Sequence, residues 1–336
     1  MKKKILTIVV PSYNTKKYLE VCLPNMLDKR FLEDIEILLI NDGSTDGTEI
    51  VLEKYAERFA ESVRVINKEN GGHGSVINRG IHEAKGKYFK VIDGDDTVET
   101  ESLEKFIRFL KKDVNVDMII APYYKEYIMD GKKQIEGIQK VETGKEFVFD
   151  DICKKIGYVP LHEIVYRTEL LQKHEIKMQE NCYYEDTEYN LYPIPYVRSL
   201  IYFDQPIYVY RIGVEGQSIN INSVIKNRKM LFKIVKNLCI FYEEKCRYNI
   251  SGPKNKYIIN AICEVAANAY AVYLKMPYGK KAKEMIPKFD KKLMQWSPKV
   301  YAAIDSKAIH LLRKDSFIIY TLAYFLFKLK RWKRGF

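Results

Sequence analysis

The first 120 residues alternate between short apolar runs rich in β-branched side chains and longer stretches with helical periodicity. Five runs have this character: Ile5–Val10, Ile35–Ile40, Val63–Ile66, Tyr88–Ile92 and Met118–Ala121. Continuous apolar runs are typical of parallel strands buried on both faces. The stretches between them predict four helices, at Lys16–Leu27, Thr45–Phe59, Gly74–Ala84 and Thr100–Leu110. This alternation predicts a doubly wound α/β sheet that binds ligands at the carboxyl ends of its strands.

The pattern changes further along the chain. Two strands and two helices are predicted next, at Lys133–Val141, Ile201–Arg211, Gly144–Lys155 and Arg167–His174. After about residue 222 the β-branched runs stop, and only long helical patterns follow. We therefore expect an α/β domain over residues 1–222 and a helical domain over residues 223–336.

The net charge of +12 is divided unevenly between these two parts. Residues 225–336 carry 25 basic and 7 acidic residues, whereas the preceding residues have a net charge of −6. An acidic body joined to a basic region indicates that the two parts meet different partners. The six cysteines form no CxxC pair, which argues against a zinc ribbon and predicts buried free thiols in a reducing compartment.

Polar residues follow the first two apolar runs. We expect Pro11 to end the first strand and to turn the chain, which exposes Tyr13 and Asn14. A ring and an amide suit a nucleobase, and an ordinary strand-to-loop turn explains them equally well. Asp42 lies two positions after the second run, where its carboxylate could accept from a base N–H or a ribose hydroxyl.

The third run leads into a glycine-rich loop, Asn70-Gly71-Gly72-His73-Gly74-Ser75, which opens a helix containing Asn78. Such a loop brings backbone close to a ligand and offers N–H groups to an anion. It is neither a Walker loop nor a GxGxxG motif. His73 is either a ligand-binding group or a structural residue at the start of the helix.

The fourth run ends in the sharpest motif, Val91-Ile92-Asp93-Gly94-Asp95-Asp96. Three carboxylates within four residues repel one another unless a cation compensates them. Oxygen ligands at a strand end suit Mg²⁺ or Mn²⁺, which bridges a substrate diphosphate. The alternative is a solvated acidic turn.

In this order, the four segments resemble the family 2 glycosyltransferases with the GT-A fold, over roughly residues 4–212 and most densely over 5–97. The resemblance implies a Rossmann-like mixed sheet in which residues 1–97 bind a nucleotide and residues 98–222 bind an acceptor. It also implies inverting transfer of a hexosyl or N-acetylhexosaminyl group from a nucleotide-sugar to a hydroxyl group.

The resemblance assigns nucleotide contacts to Pro11, Tyr13, Asn14, Asp42, Asn70, Gly72, His73, Asn78 and Asp93. Asp93 and Asp95 would bind the divalent metal, Mn²⁺ or Mg²⁺, with Asp95 as the principal ligand. Asp96 would be a neighbour of the ligands or a structural acid. Many members have Ala-Arg-Asn where this chain has Val76-Ile77-Asn78. The missing Arg removes a usual donor contact, and UDP is the default nucleotide.

A downstream acidic pair completes the resemblance. Asp186 follows Asp95 by 91 positions, close to the spacing of the family's general base. We expect Asp186 to accept the proton of the acceptor hydroxyl and Glu185 to bind or orient the acceptor. Arg211 is expected to neutralise the leaving diphosphate, with Ser218 near it. His162 either lines the acceptor cleft or completes the metal shell, and a histidine packed in the core is the simpler interpretation.

The C-terminal end combines the apolar segment Phe317–Leu329 with a basic terminus. About 13 residues are too few to span a bilayer, which needs roughly 20. The segment suits an anionic membrane interface or a packed final helix. We expect a cytoplasmic protein, peripheral on the inner face of the plasma membrane, that acts on a glycan or lipid-linked acceptor of cell-surface polysaccharide synthesis. A homodimer is compatible with the helical domain.

Three other classes compete with this interpretation. A sugar nucleotidyltransferase needs a glycine-rich, basic loop after the first strand, where this chain has Pro11-Ser12-Tyr13-Asn14-Thr15. A nucleic-acid-binding module is supported only by the basic C-terminal region. A non-catalytic scaffold is disfavoured by the intact set of Asp93, Asp95, Asp186 and Arg211.

Overall fold

The computed structural model describes residues 3–214, 221–250, 252–276, 280–314 and Tyr320. The chain divides into two compact units, Met1–Gln217 and Ser218–Phe336. Two features predicted above, Ser218 and the segment Phe317–Leu329 apart from Tyr320, lie outside the described residues.

Strands dominate the first unit. They are β1 (Leu6–Ser12), β2 (Ile35–Asn41), β3 (Val63–Asn67), β4 (Tyr88–Val91), β5 (Thr97–Val98), β6 (Met118–Ile120), β7 (Tyr123–Tyr127), β8 (Lys132–Glu136), β9 (Glu146–Val148), β10 (Ile164–Arg167), β11 (Ser199–Tyr202) and β12 (Tyr208–Ile212). Eight strands form a mixed sheet in the order β3-β2-β1-β4-β10-β6-β11-β9, and the other four form a sheet in the order β5-β12-β7-β8. Strands β1 to β4 are mutually parallel, and β10 runs antiparallel to both of its neighbours.

Helices connect these strands. They are α1 (Lys16–Cys22), α2 (Thr48–Arg58), α3 (His73–Glu83), α4 (Thr100–Leu110), α5 (Phe149–Ile156), α6 (Thr168–Lys173) and α7 (Asp186–Leu191). The second unit contains α8 (Ile221–Lys226), α9 (Arg228–Phe241), α10 (Gly252–Lys275), α11 (Lys280–Trp296), α12 (Pro298–Ala303) and α13 (Lys307–Lys314). A mixed α/β sheet followed by C-terminal helices confirms the predicted fold class.

The five apolar runs all form strands of the large sheet, and β1 and β2 are buried along their whole length. Burial on both faces is the physical reason for their continuous hydrophobicity.

Two predictions further along the chain are wrong. The predicted strand Ile201–Arg211 is two strands in different sheets, because Pro206 lies between them and cannot donate to a ladder. The predicted helix Gly144–Lys155 begins only at Phe149, because Glu146–Val148 pairs with β11.

Pro11 does not end the first strand as expected. Strand β1 continues through Pro11 to Ser12, in register with β2. The carbonyl of Pro11 accepts from the Gly94 N–H, on the side where β4 has already ended at Val91. The N–H that proline lacks would face that same side, so its absence leaves no ladder partner unsatisfied.

The second unit is held together by packed helices and by a buried polar network. Asp290 of α11 accepts from the Arg313 guanidinium Nε at 2.8 Å and from the Tyr301 hydroxyl at 3.2 Å, which ties α11 to α12 and α13. All six cysteines of the chain are buried free thiols. Among the described helices, we find none with both the length and the apolar character needed to cross a bilayer.

Candidate active site

The loops that follow β1, β2 and β4 lie at one edge of the large sheet, because these neighbouring strands are parallel. The first two loops are joined by Asn14, whose N–H donates to the Ser44 hydroxyl at 3.0 Å and whose Oδ1 accepts from Thr45 N–H at 2.9 Å. Asn14 therefore shapes the loop that follows β2. Tyr13 is 53% exposed and presents its ring at this edge.

Asp42 is buried and organises the glycine-rich loop. Its carboxylate accepts from the Gly71 N–H at 3.0 Å, the Gly72 N–H at 2.8 Å and the Lys68 ammonium at 2.5 Å. The Asn70 side chain donates to the Asp42 carbonyl at 2.9 Å. Two loop N–H groups that we expected to face a ligand anion therefore bind a protein carboxylate instead. Asp42, Asn70 and Gly72 form one unit that fixes the loop against β2.

The same loop is tied to the segment that precedes α7. Asn78 donates to the Met178 carbonyl at 3.0 Å and accepts from the Met178 N–H at 2.8 Å, so its amide is occupied in joining α3 to that segment. A Cβ at Gly74 would lie 2.4 Å from the Gln179 carbonyl oxygen and 2.9 Å from Glu185 Cγ. Only glycine allows this approach, and the approach brings Glu185 to the sheet edge.

His73 connects the two acidic motifs. Its Nε2 lies 2.8 Å from Asp93 Oδ1, and its Nδ1 lies 2.7 Å from Glu185 Oε1. Burial opposes protonation of His73, but the two carboxylates outweigh it and hold the pKa of the imidazole well above its usual value. The bridge is therefore an imidazolium between two carboxylates, with both ring nitrogens donating.

The three aspartates after β4 have different surroundings. Asp96 is almost fully buried and accepts from the Tyr208 hydroxyl at 2.5 Å and the Arg211 N–H at 2.8 Å. The same hydroxyl oxygen lies 3.1 Å from Asp93 Oδ2, so its single proton is shared between the two carboxylates. Burial and the neighbouring Asp93 carboxylate raise the pKa of Asp95 to about 6. Burial and the two other aspartates raise the pKa of Asp96 well above its usual value. A bound cation would relieve this crowding.

His162 is the third member of a potential metal site. Among the described residues, one atom each of Asp93, Asp96 and His162 lie within 4.8 Å of one another. His162 Nδ1 is buried and has no hydrogen-bond partner within the described part of the chain. Burial lowers the pKa of His162 to about 4, so the imidazole is neutral and keeps a lone pair. Two carboxylates and one neutral imidazole fit Mn²⁺. Asp95, the expected principal ligand, is not part of this group.

Asp186 begins α7, and Glu185 immediately precedes it. Glu185 is buried against His73, whereas Asp186 is exposed at the surface. The protein surrounding Asp186 and the adjacent Glu185 carboxylate raise the pKa of Asp186 to about 6. An accessible carboxylate with a raised pKa is a better proton acceptor that is still ionised at neutral pH.

Arg211 lies along the acidic loop. Its guanidinium Nη1 donates to the Asp95 carbonyl at 3.2 Å and contacts the Cys22 sulfur at 3.8 Å. Its side chain thus supports the backbone of Asp95 from β12. Ser218, which we expected beside Arg211, lies outside the described residues.

Sequence reasoning missed two groups that hold this site. Lys68 neutralises Asp42, and the Tyr208 hydroxyl joins Asp93 to Asp96. Tyr208 lies three positions before Arg211 on the same strand, β12. Nothing in the local pattern marks Lys68, because its partner is 26 positions away.

A mixed sheet that gathers a glycine loop, an acidic cluster and a downstream acidic pair at one edge defines the GT-A class of fold. The chain belongs to Glycosyl transferase family 2, whose profile matches residues 7–174. This match covers the glycine loop, the three aspartates and His162, and it ends before the Glu185–Asp186 pair.

Proteins of Bacillus subtilis and Staphylococcus epidermidis are similar to this chain in sequence. The uncharacterized glycosyltransferase EpsJ of Bacillus subtilis is 29% identical over 214 residues, which cover 62% of this chain and 61% of EpsJ. The teichoic acid poly(glycerol phosphate) polymerase of Staphylococcus epidermidis is 26% identical over 269 residues, which cover 79% of this chain and 36% of the polymerase. The chain therefore spans about three fifths of EpsJ and about a third of the polymerase.

The fold also matches a solved structure. Residues 1–349 of TarS from S. aureus, crystallised in complex with UDP, superpose with a TM-score of 0.67 at 18% identity. The match covers 97% of this chain and 92% of the TarS chain. The similarity includes the C-terminal helices and confirms the GT-A architecture.

Proposed function

We propose that this protein transfers a sugar from a UDP-sugar to an acceptor hydroxyl by a single inverting displacement. The main support is the His73 bridge, which brings the Glu185–Asp186 pair to the acidic cluster across more than 90 positions of sequence. Residues 1–97 would bind the nucleotide, and residues 98–222 would bind the acceptor.

Asp186 is the proposed general base. The acceptor oxygen attacks the anomeric carbon while Asp186 takes its proton, and the bond from that carbon to the diphosphate oxygen breaks on the opposite face. Glu185 is held by His73 and fixes the start of α7, so it orients Asp186. One displacement inverts the anomeric configuration, and UDP leaves.

We assign a divalent metal, Mn²⁺ or Mg²⁺, to Asp93, Asp96 and His162, with Asp95 beside them. When bound, the metal would neutralise the charge that develops on the leaving diphosphate. Arg211 would contribute to the metal site by holding the backbone of Asp95 in place. Tyr208 keeps the Asp93 and Asp96 carboxylates oriented toward each other.

We further propose that the acceptor is a cell-surface glycan or its lipid-linked precursor, because a teichoic acid polymerase is among the relatives. The strongly basic residues 225–336 suit an anionic membrane surface on the cytoplasmic side. Co-sedimentation with anionic vesicles tests this, with the full chain compared with a chain cut after Lys314. Equal sedimentation of the two would contradict a role for the C-terminal segment.

Ligand-dependent thermal stabilisation tests the donor site. UDP, GDP and CDP and their common sugars are compared with and without Mn²⁺, for the wild type and for Asp95→Ala. A ligand at a hundredfold excess over its dissociation constant stabilises the folded state by about 2.7 kcal/mol. We expect a metal-dependent shift with UDP that Asp95→Ala weakens, because Asp95 lies beside the proposed metal ligands. No shift with any nucleotide would contradict the proposed function.

A further inference from the structure

A lysine is buried in the centre of the large sheet, directly behind the acidic cluster. Lys90 lies in β4, between β1 and β10, and is 0% exposed. Lysine is almost never fully buried without a partner, because its ammonium loses its hydration. A fully buried lysine at this position therefore needs hydrogen-bond acceptors within the protein.

The ammonium of Lys90 contacts the segment that carries His162. Its Nζ donates to the His162 carbonyl at 2.9 Å and approaches the Ile164 carbonyl at 3.4 Å. It also lies 5.6 Å from the ring centroid of Tyr208. Lys90 thus touches both the backbone of one potential metal ligand and the tyrosine that orients the other two.

The imidazole of His162 has no hydrogen bond of its own at Nδ1 to fix its direction. The ring is held by packing against three tyrosines. The ring centroids of Tyr123, Tyr208 and Tyr210 lie 5.0, 4.8 and 4.9 Å from that of His162. Packing confines the ring, but the position of the backbone decides where the ring sits. The hydrogen bond from Lys90 to the His162 carbonyl supplies that restraint.

Stability alone does not explain Lys90. Replacing a buried charged pair by apolar groups of similar volume is often neutral or stabilising. The carboxylate that acts electrostatically on Lys90 is that of Glu163, which is buried as well. One oxygen of Glu163 has no hydrogen-bond partner in the described part of the chain. A pair so incompletely satisfied contributes little to folding.

We propose that Lys90 is a positioning residue that holds His162 and Tyr208 in the geometry that binds the divalent metal. This role rests on the proposed metal-dependent function. Lys90 touches neither the metal nor the substrate, and it acts through the His162 carbonyl and the Tyr208 ring.

The test compares Mn²⁺ affinity with thermal stability in the full chain, without any substrate. Lys90→Met keeps the length of the side chain and removes the donor. The double variant Lys90→Met/Glu163→Gln also removes the unpaired carboxylate, so it should fold even where the single variant does not. Lys87→Met is the control, since Lys87 immediately precedes β4 and its ammonium lies 3.5 Å from the carboxylate of the exposed Asp113.

We expect both Lys90 variants to lose Mn²⁺ affinity by roughly ten- to hundredfold, as residues that orient metal ligands do. The melting temperature should stay near that of the wild type in the double variant, which leaves no buried carboxylate without its partner. Lys87→Met should match the wild type in both measurements. A folded Lys90 variant that binds Mn²⁺ as tightly as the wild type would overturn the inference while leaving the metal site intact. A wild type that binds no Mn²⁺ would instead overturn the proposed metal centre, and this role with it. Failure of both Lys90 variants to fold would make Lys90 a determinant of the fold and would also overturn the inference.

Discussion

His73 lies between Asp93 and Glu185, with its two ring nitrogens 2.8 and 2.7 Å from their carboxylate oxygens. These partners are 20 and 112 positions away in the sequence. The glycine loop, the acidic cluster and the proposed base are therefore joined by one side chain. The bridge makes the spacing between Asp93 and Asp186 a property of the fold, before any ligand binds.

Replacing His73 by Ala should damage both catalysis and stability. The change leaves the buried Glu185 carboxylate and the partly exposed Asp93 carboxylate without their shared cation, and loss of one partner of a buried ion pair typically costs about 3–5 kcal/mol. We expect a loss of kcat by roughly a hundredfold or more together with a lower unfolding midpoint, measured by sugar transfer and by urea denaturation. His82→Ala is the control, because His82 lies on the same helix with an exposed side chain. Wild-type rates in His73→Ala would show that the bridge is dispensable.

Asp186→Asn should abolish transfer and spare donor binding. Loss of a general base lowers the rate by roughly 10²- to 10⁴-fold. Because Asp186 is exposed, we expect little change in folding stability. Single-turnover transfer and UDP binding by calorimetry measure the two effects, with Asp204→Asn as an exposed acidic control. If Glu185→Gln lost far more activity than Asp186→Asn, with folding intact, the assignment of the base would have to be reversed.

The rate should fall as the pH drops through about 6. Desolvation by the surrounding protein and the adjacent Glu185 carboxylate raise the pKa of Asp186 to about 6, and only its ionised form accepts a proton. Activity is therefore full above this range and is lost below it. The profile of kcat/KM between pH 5 and 8 checks this, with Mn²⁺ affinity measured over the same range to separate metal loss from base protonation. A profile that stays flat down to pH 5 would contradict Asp186 as the base.

Gly74→Ala should displace the segment that carries the acidic pair. The added Cβ would meet the Gln179 carbonyl oxygen at 2.4 Å, so the segment must move. We expect a loss of stability of about 1–3 kcal/mol and a larger loss of transfer. Gly144→Ala is the comparison, since Gly144 has a φ of +72° and open space around it. Backbone strain without a clash should lower stability there and leave transfer unchanged.

Local patterns predicted the parallel half of the sheet. Strands β1 to β4 and β6 lie where the apolar runs are, and the motifs follow them at the strand ends. Burial on both faces imposes a continuous apolar run, which is visible in the sequence without any knowledge of neighbours. Helix α4 occupies the predicted Thr100–Leu110 because its apolar positions repeat with the helical period.

Tertiary structure decided the rest. The segment Glu146–Val148 is a strand because it pairs with β11. Pro206 lies between β11 and β12, which the sequence predicted as one continuous strand. Asn78 and Gly72 were expected at a ligand, yet Met178 and Asp42 are the partners that the structure gives them.

The sequence by itself therefore determined which residues form the strands and which chemical groups stand at their ends. It did not determine which of those groups bind each other. Tyr208 meets Asp96 across 112 positions, and Lys90 meets the His162 carbonyl across 72. Such contacts depend on the order of strands in the sheet, which brings distant residues together and which no local periodicity records.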